Sequence, residues 1–304
     1  MTSRHYPRAG LERITVQGRL SAEPVKNSRG RQESSRALAE LHNMIGLDKI
    51  KCLAAELEAL VSLQRQRATF NLKNQPLVLH MIFKGNPGTG KTTVARLLGQ
   101  ILCDLEVLPK GHLVEVERAD LVGEYIGHTA QKAREKVHKA LGGVLFIDEA
   151  YSLARGGEKD FGKEAVDTLV KAMEDHKNEF VLILAGYTSP MNEFLRLNPG
   201  LRSRFPIQMH FPDYTVQQLI GIARLMLDER EYKLTQRAEI KIREIIDQRM
   251  NFGGEEFSNA RLVRNLLEAA IRRHALRLKY VNSPSREQLQ TLESSDFQAG
   301  DLRG

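Results

Sequence analysis

Gly85-Asn86-Pro87-Gly88-Thr89-Gly90-Lys91-Thr92 fills every fixed position of the pattern G-x-x-x-x-G-K-[ST]. The flanking residues give that match its meaning. Residues 77–84 (LVLHMIFK) are mostly apolar, with β-branched and aromatic members, and predict a buried strand. Residues 93–103 place Val94, Leu97, Leu98 and Ile101 at helical spacing. A glycine-rich turn between a strand and a helix aims successive backbone N–H groups, and the positive end of the helix dipole, at an anion. Pro87, Gly88, Thr89, Gly90, Lys91, Thr92 and Thr93 are therefore the expected nucleotide contacts. Lys91 would reach the β- and γ-phosphates, and the Thr92 hydroxyl would hold Mg²⁺.

A second signal lies downstream. Gly143-Val144-Leu145-Phe146-Ile147-Asp148-Glu149 is an apolar strand ending in paired carboxylates. Such a strand delivers both acids to the C-terminal edge of a parallel sheet, where the phosphate loop also lies. Asp148 is the expected second Mg²⁺ ligand. Glu149 is the expected base for an attacking water.

Between and beyond these runs, strand and helix patterns alternate. Strands are expected at 77–84, 112–116, 143–148, 180–186 and 206–211. Helices include 129–141 and 163–176, with Val166, Leu169, Val170 and Met173 on one face. Alternation of this kind predicts a five-stranded parallel sheet covered by helices on both sides. Residues 206–211 alternate instead, Ile207, Met209 and Phe211 against Gln208 and His210, as an edge strand does. Pro212-Asp213-Tyr214 marks a boundary. After it the strand signal stops, and three helical stretches follow at 215–231, 235–251 and 258–280, with a short one near Arg286. Thr215 and Gln218 have capping-box spacing. The expected organisation is a basic leader at 1–35, an α/β nucleotide-binding domain at 36–212, and a smaller α-helical domain at 213–304 with a loose C-terminal tail.

The 304 residues suffice for two such domains, and 27% charged residues suit a globular chain. No apolar run is long enough to span a membrane, which argues against transport as the core activity. No signal peptide is visible, and Cys52 and Cys103 read as buried thiols of a reducing compartment, giving a cytoplasmic expectation. The net charge of +7 is concentrated before residue 40. That leader reads as a solvated arm; a contact with nucleic acid or an acidic partner is the alternative. No aromatics interleave with its charges, so nucleic acid is disfavoured as a partner.

The phosphate loop and acid pair alone do not choose among a kinase, a switch GTPase and a mechanical ATPase, although no Asn-Lys-x-Asp guanine-reading motif occurs. Four further runs choose: 118–129 (RADLVGEYIGHT), 148–151 (DEAY), 183–187 (ILAGY) and 198–205 (NPGLRSRF). With these, residues 41–280 resemble the AAA+ ATPases. Within them they are similar to the branch that holds stage V sporulation protein K and red-type Rubisco activase, and 151–162 looks most like the sporulation member. The resemblance implies an AAA+ P-loop domain with a helical lid, ATP and Mg²⁺ as ligands, a homo-oligomeric ring, in all expectation a hexamer, and a client protein the sequence does not name. It implies that Ile45 and Gly46 touch adenine, unless they are an ordinary helix break. It makes Arg204 the arginine finger lent to a neighbour, with Arg202 as fallback, and Arg261 the nucleotide sensor of the lid, with Arg264 as rival. Thr188 would hold the lytic water, although many relatives place Asn there. Tyr125, Ile126 and Gly127 resemble an aromatic–aliphatic–glycine pore loop that grips an extended client chain.

Overall fold

Five strands, β1 (Met81–Gly85), β2 (Leu113–Val116), β3 (Val144–Ile147), β4 (Val181–Gly186) and β5 (Ile207–Phe211), pair in the order β2-β3-β4-β1-β5. Every neighbouring pair is parallel. The computed structural model describes residues 28–74, 77–125, 127–155, 161–252 and 257–298. The expected α/β sheet is the one observed, and β5 is an edge strand with Gln208 and His210 turned outward.

The middle strands are apolar because both their faces are covered. Met81 and Phe83 of β1, Val144 and Phe146 of β3, and Val181, Ile183 and Ala185 of β4 face one core layer. That layer is closed by α1 (Ser28–Asn43), α2 (Asp48–Thr69) and α3 (Lys91–Asp104), and the Phe83 and Phe211 rings meet within it at 4.9 Å. Alternate residues, Ile82, Leu145, Ile147, Leu182 and Leu184, face the other layer. It is closed by α4 (Arg118–Leu121), α5 (His128–Ala140), α6 (Gly162–Asp175), α7 (Thr188–Leu197) and α8 (Pro199–Arg204). The helical patterns at 129–141 and 163–176 correspond to α5 and α6, whereas α4, α7 and α8 add helices that the sequence reading does not contain.

Pairing in β1 begins at Met81, not at residue 77. Just ahead of it, His80 Nδ1 accepts the Leu182 N–H at 3.0 Å, so a ring nitrogen takes over where backbone pairing stops. Burial lowers the His80 pKa to about 4, which keeps the ring neutral and able to accept.

The second domain is built from α9 (Val216–Asp228), α10 (Gln236–Phe252), α11 (Asn259–Leu278) and α12 (Arg286–Gln290). Thr215 and Gln218 cap α9 reciprocally, as their spacing predicts. Two expectations are corrected here. The domain contains a short parallel pair, β6 (Lys233–Leu234) with β7 (Thr291–Leu292). The segment after α12 is not loose: Leu292 and Phe297 are buried in the domain core, and Arg277 holds the buried Asp296 carboxylate through Nε at 3.1 Å and Nη2 at 2.9 Å.

Two further corrections concern the start of the chain. α1 begins at Ser28, so part of the expected leader is helical; residues 1–27 lie outside the described residues. Cys52 is exposed and Cys103 half-buried, so neither is the fully buried thiol expected. Among the described residues no helix is long and apolar enough to cross a membrane.

Candidate nucleotide site

The phosphate loop emerges from the end of β1 and runs into α3, whose first residue is Lys91. Pro87, Gly88, Gly90, Lys91, Thr92 and Thr93 line a cavity of ≈ 260 Å³. Asp148 and Glu149, delivered by β3, and Ala260, Arg261 and Arg264 of α11 complete it with Gly186 and Tyr187. Of the expected loop contacts all but Thr89 line this cavity together with the acid pair, and Arg261 and its rival Arg264 both face it.

The Thr89 side chain does not line the cavity, which leaves only its backbone for the expected nucleotide contact. Its side chain is fully buried, and Oγ1 donates to the Asn86 carbonyl at 2.8 Å, so the hydroxyl braces the loop. Lys91 Nζ donates to the Gly85 and Asn86 carbonyls at 2.9 and 2.8 Å, which holds the ammonium inside the loop's curve. Burial pulls its pKa below the ordinary lysine value and Arg261 adds to that; the Asp148, Asp213 and Glu149 carboxylates oppose it.

The acid pair turns sharply. Asp148 N donates to Val116 O at 3.1 Å, extending the β2–β3 pairing, and Asp148 Oδ1 accepts the Glu149 N–H at 3.0 Å. Glu149 has φ 47°, a left-handed conformation that costs a non-glycine residue about 1–2 kcal/mol. Tyr151 packs beside the acid pair; burial first, then the Glu149 charge, pushes its phenol up to about 12. Asp148, Glu149 and Arg261 also border a second cavity of ≈ 760 Å³ with Glu117, Arg118, Glu124 and Lys132, so the acids face two spaces.

Thr92 and Asp148 supply hydroxyl and carboxylate oxygens to one wall of the nucleotide cavity, a donor set that suits a hard divalent cation. Thr188 starts α7 one residue beyond the cavity-lining Tyr187 and is not itself among the described lining residues.

The lid docks directly on the loop. Ala260 N donates to Gly88 O at 3.1 Å, and a Cβ on Gly88 would stand 2.2 Å from Ser258 O, so only glycine fits, at φ +71°. Tyr214, buried with its phenol pushed up to about 12, donates to Thr89 O at 3.2 Å. Asn86 Nδ2 donates to both Asp213 carboxylate oxygens at 3.0 Å, and Asn259 Nδ2 to Asp213 Oδ1 at 2.7 Å. Sequence reasoning missed Tyr214, Asp213, Asn86 and Asn259 as site residues. The only signal was that they sit inside runs already singled out as boundary, loop and lid.

The remaining expected residues lie elsewhere. Ile45 contacts Gly221 and Gly46 lies against Gln218 and Tyr214, so the break between α1 and α2 forms part of the domain junction. Arg204 ends α8, away from its own chain's cavity. Its Nε donates to Glu174 Oε1 at 3.1 Å, Nη2 ion-pairs with the same oxygen, and Nη1 donates to Gly200 O at 2.8 Å. Arg202 is exposed on the same helix. Tyr125 is 66% exposed and rests edge-on against His128, centroids 5.4 Å apart. Gly127 has φ +83° at the start of α5, a conformation that glycine adopts freely. The base of this loop is tied by Gly123 N donating to the buried Thr129 Oγ1 at 2.9 Å. Ile126 lies outside the described residues.

Comparison with known proteins follows the same division of the chain. The family described as ATPase family associated with various cellular activities (AAA) matches residues 81–213, and the AAA lid domain matches residues 215–303. Stage V sporulation protein K of Bacillus subtilis (strain 168) is 55% identical over 259 residues, covering 85% of this chain and 80% of that one. Protein CbbX of Cereibacter sphaeroides is 45% identical, covering 84% and 83%. The chloroplastic ribulose bisphosphate carboxylase/oxygenase activase of Cyanidioschyzon merolae is 46% identical, covering 77% and 80%. Among solved structures, the Thermotoga maritima RuvB Holliday junction branch migration motor shares the fold, with TM-score 0.51 at 19% identity, over 83% of this chain and 67% of that one. With a phosphate loop, an acid pair and a docked lid converging on one cavity, and with relatives of this similarity, the chain belongs to the AAA+ ATPase family.

Proposed function

We propose that this ATPase is a ring-forming, protein-remodelling motor of the sporulation branch, a hexamer working in the bacterial cytoplasm. The observation that carries the reading is the placement of Tyr125. An aromatic ring two-thirds exposed, on a loop anchored at its base, is available to pack against another molecule. ATP would bind through the phosphate loop with Lys91, and Thr92 and Asp148 would hold Mg²⁺, which when bound would offset phosphate charge. Glu149 takes the proton of the attacking water. Arg204 serves the neighbouring protomer, a role supported by its absence from the lining of its own chain's nucleotide cavity and by the open space beside Asp148 and Glu149. Arg261 reports nucleotide to the lid, and lid motion moves Tyr125.

The sporulation setting rests on the 55% identical relative. The CbbX and activase relatives favour a second reading, the same engine acting on Rubisco. One experiment separates the two. The Glu149→Gln protein, trapped with ATP in sporulating cells, should retain a client that is not Rubisco, and ribulose bisphosphate should leave wild-type ATPase unchanged. Strong stimulation by that sugar bisphosphate, with assembly, would transfer the assignment to the activase reading.

A further inference from the structure

One side-chain amide in the described structure joins the three parts that must move together during nucleotide turnover. Asn259, at the first position of α11, is fully buried and has φ 49°. Its Oδ1 accepts the Tyr214 N–H at 2.9 Å. Its two N–H bonds are shared among Asp213 Oδ1 at 2.7 Å, Phe257 O at 3.2 Å and Pro87 O at 3.3 Å. Asp213 in turn receives Asn86 Nδ2 on both oxygens. The amide therefore contacts the phosphate loop at Pro87, the interdomain linker at 213–214, and the lid from within. Both of its polar ends are used, and a buried amide left half-bonded would be costly.

The backbone sharpens the point. Left-handed φ is a conformation that asparagine tolerates better than most residues, and here it turns the chain so that Ala260 N meets Gly88 O and Arg261 enters the cavity. A side chain that could adopt the turn without bonding across it, such as glycine, would leave α11 bonded to the loop through Ala260, while Tyr214 and Asp213 kept only their own bonds to Thr89 and Asn86.

We propose that Asn259, through Asp213, is the positioning residue that latches the lid to the phosphate loop and sets where Arg261 stands over the nucleotide. It touches no phosphate itself. The inference rests on residues 259–261 being the nucleotide-facing end of the lid, but not on a ring, a client or a finger. ADP binding by the single chain reads it, so the reading of the motor can fail while this one holds.

The test uses the full chain and three variants. Asn259→Asp is nearly isosteric and keeps the Tyr214 acceptor, but sets a carboxylate against Asp213. ADP dissociation constant and KM for ATP should each rise about tenfold, with kcat falling much less. The swap Asp213→Asn with Asn259→Asp restores a donor–acceptor pair between 213 and 259 but leaves the Pro87 and Phe257 carbonyls without the amide donor, so it should recover only part of the ADP affinity that Asn259→Asp loses. Asn259→Gly accepts the same φ and removes only the amide, so it should weaken ADP about tenfold with little change in folding. Wild-type ADP affinity in Asn259→Gly, or a swap no better than Asn259→Asp in proteins of equal melting temperature, would overturn the latch. If Asn259→Asp does not fold, the glycine variant decides alone.

Discussion

The phosphate loop and the Tyr125 loop are both short, glycine-bearing turns, yet their polar and aromatic groups are satisfied in opposite ways. In the phosphate loop, Thr89 and Lys91 bond back to the loop's own carbonyls, and the lid and Tyr214 close over it. In the other turn the ring of Tyr125 rests against the edge of His128 and is two-thirds exposed. Arg204 resembles the second case, pairing with Glu174 at a distance from any phosphate site in its own chain. The difference teaches where the molecule is self-sufficient. On the proposed function, binding nucleotide needs one chain, whereas completing the catalytic site and using the energy call for another.

That contrast can be broken at either end. Lys91→Ala should have the largest effect, weakening ADP and ATP at least about a hundredfold by titration, because a charge-assisted contact to phosphate is lost inside the loop. Retained tight binding would mean that the cavity is not the phosphate site. Tyr125→Ala should leave ADP affinity within about twofold and reduce client remodelling about tenfold or more, measured once the client is captured. A matching loss of ADP affinity would erase the distinction between the two loops.

Two smaller effects probe the scaffold that holds them apart. The folded His80 pKa of about 4 lies below its ordinary 6.5, so the unfolded chain binds the extra proton as pH falls through that window. Stability contributed by neutral His80 is complete above pH 6.5 and falls progressively toward pH 4. Denaturant melts at pH 7 and pH 5 should differ by about 2 kcal/mol from this group, and His80→Asn should flatten that slope. Thr215→Ala removes the reciprocal cap of α9 and should cost about 1 kcal/mol, seen as a lower melting temperature with unchanged ADP affinity at saturation.

Legibility in the sequence followed the range of the interactions. β3 and its acid pair, the phosphate loop and the Thr215 cap are local patterns, and each could be read from neighbours a few residues apart. The latch could not. Asn259 and Asp213 lie 46 residues apart, and Asn86 and Asp213 lie 127 apart. Nothing in a polar residue's immediate context says which distant partner it will meet. The start of β1 was misplaced for a related reason: residues 77–80 are as apolar as a strand, and it is the His80–Leu182 contact, made across the sheet, that ends the pairing. The segment beyond α12 shows no periodicity in sequence, yet Leu292 and Phe297 both enter the lid core.

The central claim is that the ATP site is completed between protomers, and complementation tests it most directly. Arg204→Ala chains keep an intact phosphate loop but lend no finger; Lys91→Ala chains lend the finger but bind no nucleotide. Each alone should hydrolyse no ATP. Mixed in equal amounts and reassembled, roughly a quarter of interfaces in a head-to-tail ring would join an intact loop to an intact finger. The account predicts ATPase returning to roughly a quarter of the wild-type rate. A mixture as inactive as its components, in assemblies shown to contain both chains, would contradict it.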